Sequence, residues 1–276
     1  MAIMNILIVG AGRAGSSFEA ALRAVGHHVT MVHHHELLGS SHSLEGLERI
    51  EADLVLLCVP DDAVAALSDL LLVADSTVVA HVAGSMGLEV LRAGRGRAQR
   101  KNDARVGSLH PLITMPDARV GAQRLRGAAF AVEGDPLLHE VVASLGGRVI
   151  SVAPEHRALY HAAAVSAANH LVALMGSLEV LARGAGLALE DFLPLAHQAL
   201  DDVDVSGPLL ALTGPASRGD TETIRRHLLV VPDEERATYV ALSERAARLA
   251  QTNLAPVNDV AVRDATTDLT PADVVP

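Results

Sequence analysis

The sequence predicts an α/β N-terminal domain with a doubly wound, mostly parallel sheet over residues 1–153, followed by an all-α C-terminal domain over residues 154–276. Three observations predict it. Short continuous apolar runs, such as Ile6 to Val9 and Asp53 to Pro60 (DLVLLCVP), alternate with helically spaced segments through the first half. The first of these runs feeds a glycine turn and then a helix, with Phe18, Ala21, Leu22 and Val25 at helical spacing. At Glu155 the alternation stops. Helical spacing then continues to Arg183 with neither proline nor strand pattern, until Gly184 and Gly186 end it.

The glycine turn reads Gly10-Ala11-Gly12-Arg13-Ala14-Gly15. In this pattern the first glycine allows the tight turn and the second lets backbone approach a pyrophosphate. The third lets helix and strand pack closely, and the helix N-terminus faces the negative charge. Strand, turn and helix in that order predict a Rossmann dinucleotide site on Gly10, Gly12, Arg13, Ala14 and Gly15. The second strand, His28 to Val32, ends in His33-His34-His35, and the first acid after it is Glu36. An acid at the strand end bonds the ribose hydroxyls of NAD and repels a 2′-phosphate. Its absence beside His33, with Arg13 in the turn, points to NADP, with NAD as the alternative.

The six histidines His27, His28, His33, His34, His35 and His42 invite a metal reading. Neighbours on a strand point to opposite faces, and no cysteine or carboxylate spacing completes a tetrahedral set, so no metal is expected. Half of the 276 residues are hydrophobic, and with no Trp, three Phe and two Tyr the core should be aliphatic. A net charge of −11 disfavours nucleic acid and anionic membranes as partners. The one cysteine, Cys58, lies within a strand-like run and reads as a buried thiol. No leader-like segment and no apolar run of membrane-spanning length is apparent, so a soluble cytoplasmic protein is expected.

Ligands of open α/β sheets bind beyond the carboxyl ends of the strands. Val59, Pro60 and Asp61 end the third strand and should border the nicotinamide, with Asp61 or Asp62 also able to cap the next helix. The strand Ser76 to Val82 leads into Ala83-Gly84-Ser85-Met86-Gly87, where Ser85 could donate to a substrate oxygen. The basic stretch Arg92 to Arg105 reads as a solvated loop. His110, at a strand end before Pro111, lies beside the expected crevice, with a purely structural role as the other reading.

The helix from Glu155 to Arg183 would be about 40 Å long. It is Ala-rich and apolar around its girth, which predicts burial. Tyr160, His161, Ser166, Asn169 and His170 are its polar exceptions. Further helices are expected over Leu189 to Asp202, Thr221 to Leu229 and Asp233 to Gln251, with a loose arm after Pro256. In the turn Thr213 to Asp220, Arg218 suits a bidentate grip on a substrate carboxylate, or else an ion pair with Asp220.

GAGRAG (10–15), CVPDDAV (58–64), HVAGSMG (81–87), SLHPL (108–112), YHAAAVSAANHLVAL (160–174) and TGPASRGDTETIRRHL (213–228) follow one another along the chain. In this order they resemble the proteins that join a Rossmann-like domain to a DUF2520 domain, relatives of pyrroline-5-carboxylate reductase, ketopantoate reductase and the β-hydroxyacid dehydrogenases. The resemblance implies an NAD(P)-dependent oxidoreductase fold whose helical domain forms a homodimer, with Arg218 able to complete the partner's site. β-Hydroxyacid dehydrogenases carry a catalytic Lys one turn before an Asn. If Asn169 is that Asn, the Lys position holds Val165, which transfers no proton. His161, a further turn back, could replace it, because an imidazole titrates near neutrality. His161 and Asn169 would stand about 12 Å apart along the axis, and Ser166 could share a ligand group with Asn169. The expectation is an NADP-preferring reductase of a small keto acid or imine, taking its proton from His161 or His110. The alternative is a non-catalytic nucleotide-binding sensor or scaffold.

Overall fold

A computed structural model describes residues 2–33, 50–92 and 105–251. The histidines His34, His35 and His42, Glu36, the basic residues from Arg95 to Lys101 and the arm after Pro256 lie outside them. The chain divides into two compact units, Met1–Asn169 and His170–Pro276.

The first unit is built on seven strands: β1 (Asn5–Val9), β2 (His28–Val32), β3 (Leu54–Leu57), β4 (Val78–His81), β5 (Val106–Pro111), β6 (Ala129–Gly134) and β7 (Arg148–Ile150). Their order is β2-β1-β3-β4-β5-β6-β7, and every neighbouring pair is parallel except β5 with β6. This is the doubly wound, mostly parallel Rossmann-like sheet that the sequence predicts. Helices α1 (Arg13–Ala24), α2 (Asp61–Leu70), α3 (Glu89–Arg92), α4 (Ala118–Leu125) and α5 (Leu137–Ser144) connect the strands.

Alternate residues of the buried strands feed two separate cores, as a period of two requires. Ile6, Ile8, Leu54 and Leu56 pack with Phe18 and Phe130 in one. Val9, Val55 and Leu57 pack with Val64, Leu67 and Leu91 in the other. Cys58 sits in the first core, and burial pushes its thiol pKa up. His27 is also structural: it is buried, and its Nδ1 lies 3.2 Å from the Met4 amide. Arg105, expected in a solvated loop, instead makes a two-pronged ion pair with Asp135 at 2.8 Å and bonds the Ser76 carbonyl. The guanidinium holds the Asp135 carboxyl below its usual range.

After β7 the chain passes through a 3-10 turn (Pro154–His156) into α6 (Arg157–Val165) and a π-helical turn (Ser166–His170). The second unit continues with α7 (Leu171–Gly184), α8 (Leu193–Ala211), α9 (Thr221–Leu228) and α10 (Asp233–Ala250). Helix α8 runs beyond the expected Asp202 and is kinked where Gly207 adopts φ 77° before Pro208, which has no N–H to donate. Ala216, Ile224 and Leu228 form a small core with Tyr239 and Val240.

Three expectations about the helical stretch are corrected. It is not one α-helix from Glu155 to Arg183, because the π turn interrupts it. Nor is it buried: Leu159 is 71% and Val172 70% exposed. Finally, the segment Pro154–Gly184 does reach membrane-spanning length, with a mean hydropathy of 1.4 over its most apolar stretch. Counting uninterrupted apolar residues hides this, because Arg157, His161, Asn169 and His170 punctuate a segment whose Ala, Val and Leu keep the average high.

Candidate functional site

The glycine turn sits where the sheet reverses its winding, between β1 and the neighbours β2 and β3 on either side. The Gly10 amide donates to the Val32 carbonyl at 2.8 Å and the Cys58 amide to the Val9 carbonyl at 2.8 Å. The turn, His33 after β2, and Val59-Pro60 after β3 are thereby drawn to one edge. Gly10 has φ 109°, and a Cβ there would overlap the Cys58 carbonyl oxygen. A Cβ on Gly15 would overlap the Gly10 carbonyl oxygen. Gly12 differs: no atom of the described residues lies within 4 Å of the place its Cβ would take. Gly12 is the N-cap of α1, no side chain caps that end, and its first turn carries no acid. The open space and the uncapped helix end would fit a nucleotide pyrophosphate, which the backbone of Gly10 to Gly15 could hold. Arg13, at the start of α1, and His33 are both exposed beside it.

A second group of polar residues lies at the same carboxyl edge. Register pairs His81 with Ser108 and Ser108 with Glu133, so the three share one sheet face with His110, two residues beyond Ser108. Helix α6 covers this row with Arg157, Tyr160 and His161, spaced i, i+3 and i+4 and therefore on one helix face. Arg157, 3% exposed, bonds Glu133 at 2.9 Å and the Ser108 hydroxyl. Tyr160 Oη lies 2.8 Å from His110 Nδ1. The His161 ring stands edge-on to the His110 ring, with centroids 5.9 Å apart. A Cβ on Gly84 would lie 2.7 Å from His110 Nε2 and 2.9 Å from His161 Cδ2, so a side chain there would push both rings back from the turn after β4.

Burial first, then the neighbouring His161 and the Arg157 charge, pushes the His110 pKa down to about 4, so this ring is neutral at pH 7. His81, fully buried with Nε2 3.1 Å from the Gly87 carbonyl, is lowered chiefly by burial. Asp61 opposes both shifts through its negative charge. Asp61 does not cap α2, whose N-cap is Pro60. Its carboxylate instead accepts from Ser85 Oγ at 2.9 Å, tying the ends of β3 and β4 together.

Among the remaining expected residues, the Ser166 hydroxyl donates to the Ala162 carbonyl at 2.9 Å, within its own helix. Asn169 is exposed in the π turn, where i→i+5 bonding replaces the α register used to relate it to His161. Arg218 belongs to the second unit, exposed in a 3-10 turn (Ala216–Arg218). Among the described residues no ion pair joins it to Asp220, which caps α9 by accepting from the Thr223 amide at 3.0 Å and its hydroxyl at 2.8 Å. The second unit also holds a cavity of about 410 Å³ between α7, the 213–216 turn and α10, lined by apolar groups such as Leu174, Leu178 and Tyr239. Arg157, Glu133, Ser108 and His81 carry no role in the sequence pattern, and Tyr160 stands there only as a polar exception on the helix. The available signal was Arg157, Tyr160 and His161 at i, i+3, i+4 on an otherwise apolar helix.

Residues 128–246 match the model of a domain of unknown function, DUF2520. The DUF2520 match starts just before β6, so it includes Glu133, Arg157, Tyr160, His161, Asn169 and Arg218, while the glycine turn and His110 precede it. No curated protein matches the chain significantly in sequence. Solved structures share its fold. Protein BF3122 of Bacteroides fragilis, provisionally described as an NADP oxidoreductase, is 21% identical over 89% of this chain and 98% of its own, with a TM-score of 0.71. The 1-pyrroline-5-carboxylate reductase of Streptococcus pyogenes is 16% identical over 90% and 98%, with a TM-score of 0.59. A reductive aminase from Aspergillus terreus, solved with NADPH and ethyl levulinate, is 17% identical over 96% and 100%, with a TM-score of 0.61. Of the suspected relatives, pyrroline-5-carboxylate reductase is thus among the structures that share its fold.

Proposed function

We propose that the chain is an NADP-preferring oxidoreductase that reduces a small keto acid or imine. The observation that carries this is the shared carboxyl edge of the sheet. The open glycine turn at β1 and His110 at the end of β5, with His161 of α6 edge-on to it, lie along one edge of parallel strand ends. The nucleotides named for the similar folds support the cofactor reading. In this reading residues 1–153 hold the nucleotide: Gly10 to Gly15 take the pyrophosphate, Arg13 and His33 flank the ribose phosphate, and Val59 to Asp61 border the nicotinamide. Residues 154–276 serve substrate binding and homodimerisation, the latter supported by exposed apolar residues such as Val205 and Leu210, 86% and 75% exposed.

When bound, the nucleotide supplies a hydride to the substrate carbon and is itself oxidised. The protein must then deliver one proton to the oxygen or nitrogen. His110, held neutral, is poorly placed to carry that proton, which favours His161. His161 is half-buried and so reaches solvent. Ser85, Ser166, Asn169 and Arg218 are further candidates for substrate contact.

Fluorescence titration should give NADPH a dissociation constant at least about tenfold below that of NADH. Equal or absent binding rejects the cofactor assignment. On a keto acid or imine that supports NADPH oxidation, His161→Ala should lower turnover about 100-fold, and unchanged turnover removes it as proton donor. Val165, in place of the dehydrogenase lysine, favours the second reading, a non-catalytic nucleotide sensor. Tight NADPH binding with no oxidation across a broad substrate panel would select it.

A further inference from the structure

The contact between α6 and β5 assigns a role to Tyr160. We propose that Tyr160 is a positioning residue: its phenol donates to His110 Nδ1 and fixes the neutral ring as the Nε2–H tautomer, leaving a single N–H donor on the side of Gly84 and His161. The use made of that donor rests on the reductase reading; the tautomer itself does not.

Three observations carry the inference. Tyr160 Oη and His110 Nδ1 are 2.8 Å apart, and no other described residue bonds either atom. Were Nδ1 the donor, the phenol proton would have no protein acceptor; with the phenol donating, both atoms are satisfied. The tautomer of a neutral histidine follows from the bond its other nitrogen makes. Secondly, both groups are in the required protonation state near neutrality. Burial raises Tyr160, keeping its proton, while burial, His161 and Arg157 lower His110. The charged and titratable groups acting on His110 are His161 and Arg157 from α6, Asp61 from α2 and His81 from β4. Thirdly, the helix that carries Tyr160 is pinned one turn earlier by the Arg157–Glu133 pair, which fixes the phenol over β5.

The consequence concerns substrate class. An Nε2–H donor matches a reacting group that offers a lone pair, a ketone oxygen or an uncharged imine nitrogen, and it opposes a protonated iminium.

Long-range proton–nitrogen spectra of the uniformly ¹⁵N-labelled full chain at neutral pH, without nucleotide or substrate, test this directly. His110 is assigned by the signal lost in His110→Gln. The expected wild-type result is an unprotonated Nδ1 and a protonated Nε2, and in Tyr160→Phe a shift of the population toward Nδ1–H. A wild-type ring protonated at Nδ1, or identical ring shifts in Tyr160→Phe, overturns the proposal. Should Tyr160→Phe fail to fold, the wild-type spectrum still decides. Failure of the reductase assay leaves these spectra untouched. If turnover is found, Tyr160→Phe should lower kcat about fivefold to tenfold with the KM for NADPH unchanged.

Discussion

Glu133→Ala is expected to destabilise the first unit by about 3–5 kcal/mol, the largest loss of any single side-chain truncation at the site. The carboxylate is the only charge paired with Arg157 among the described residues, and Arg157 is 3% exposed. Without Glu133 a buried guanidinium keeps only the Ser108 hydroxyl, and its Nε already lacks an acceptor. Removing the other partner is gentler. In Arg157→Met the remaining Glu133 side chain, 22% exposed, can turn toward water. The double variant Glu133→Ala/Arg157→Met should therefore recover most of the loss, because an apolar replacement of a buried pair avoids the desolvation of both ions. Urea unfolding of the four proteins forms the cycle that isolates the coupling. A Glu133→Ala loss below about 1 kcal/mol would mean that the guanidinium finds another partner or water. The chemistry is tied to the same pair. Arg157 holds the first turn of α6, and Tyr160 and His161 follow from it by helix geometry, so a shift in that turn moves both groups at His110.

The contrast between what was and was not legible in the sequence follows from the range of the interactions. Gly10, Gly12 and Gly15 announce themselves because their constraint is local: strand, turn and helix lie within twenty residues. The doubly wound sheet follows from apolar runs such as Leu54 to Leu57, buried on both faces, where the period itself reports the environment. The row His81–Ser108–Glu133 is different, since it exists only through the parallel register of β4 with β5 and the antiparallel register of β5 with β6. No spacing along the chain encodes either. Tyr160 and His161 stand out as polar residues on an apolar helix, but the sequence does not say which strand they meet. Asp61 shows a related limit. An acid at a helix start reads as a cap, and here the carboxylate reaches Ser85, twenty-four residues away. The exposed apolar helices mark a further one, since periodicity shows that a face needs cover without showing which chain covers it.

The second large effect is expected at the glycine turn, where two glycines should respond in opposite ways. In Gly15→Ala the new methyl overlaps the Gly10 carbonyl oxygen, a backbone atom that cannot rotate away. The start of α1 must then lift off the end of β1, and Cys58 Cβ, 3.3 Å from the same point, blocks a sideways escape. A stability loss of about 1–3 kcal/mol is expected, as for other forced overpacking, together with loss of NADPH binding by at least about 100-fold. Gly12→Ala meets no atom of the described residues within 4 Å, and its φ of −73° suits any residue. Its Tm should therefore be unchanged, while the methyl occupies the space through which a pyrophosphate would approach the helix end. NADPH binding should weaken at least about tenfold even so. Thermal unfolding and nucleotide titration of the two variants separate architecture from ligand space. If Gly12→Ala binds NADPH like the wild type, the open side of the turn is not where the phosphates lie, and the nucleotide reading fails there. If both variants lose binding but only Gly15→Ala loses stability, the turn serves two separable purposes, packing at Gly15 and contact at Gly12.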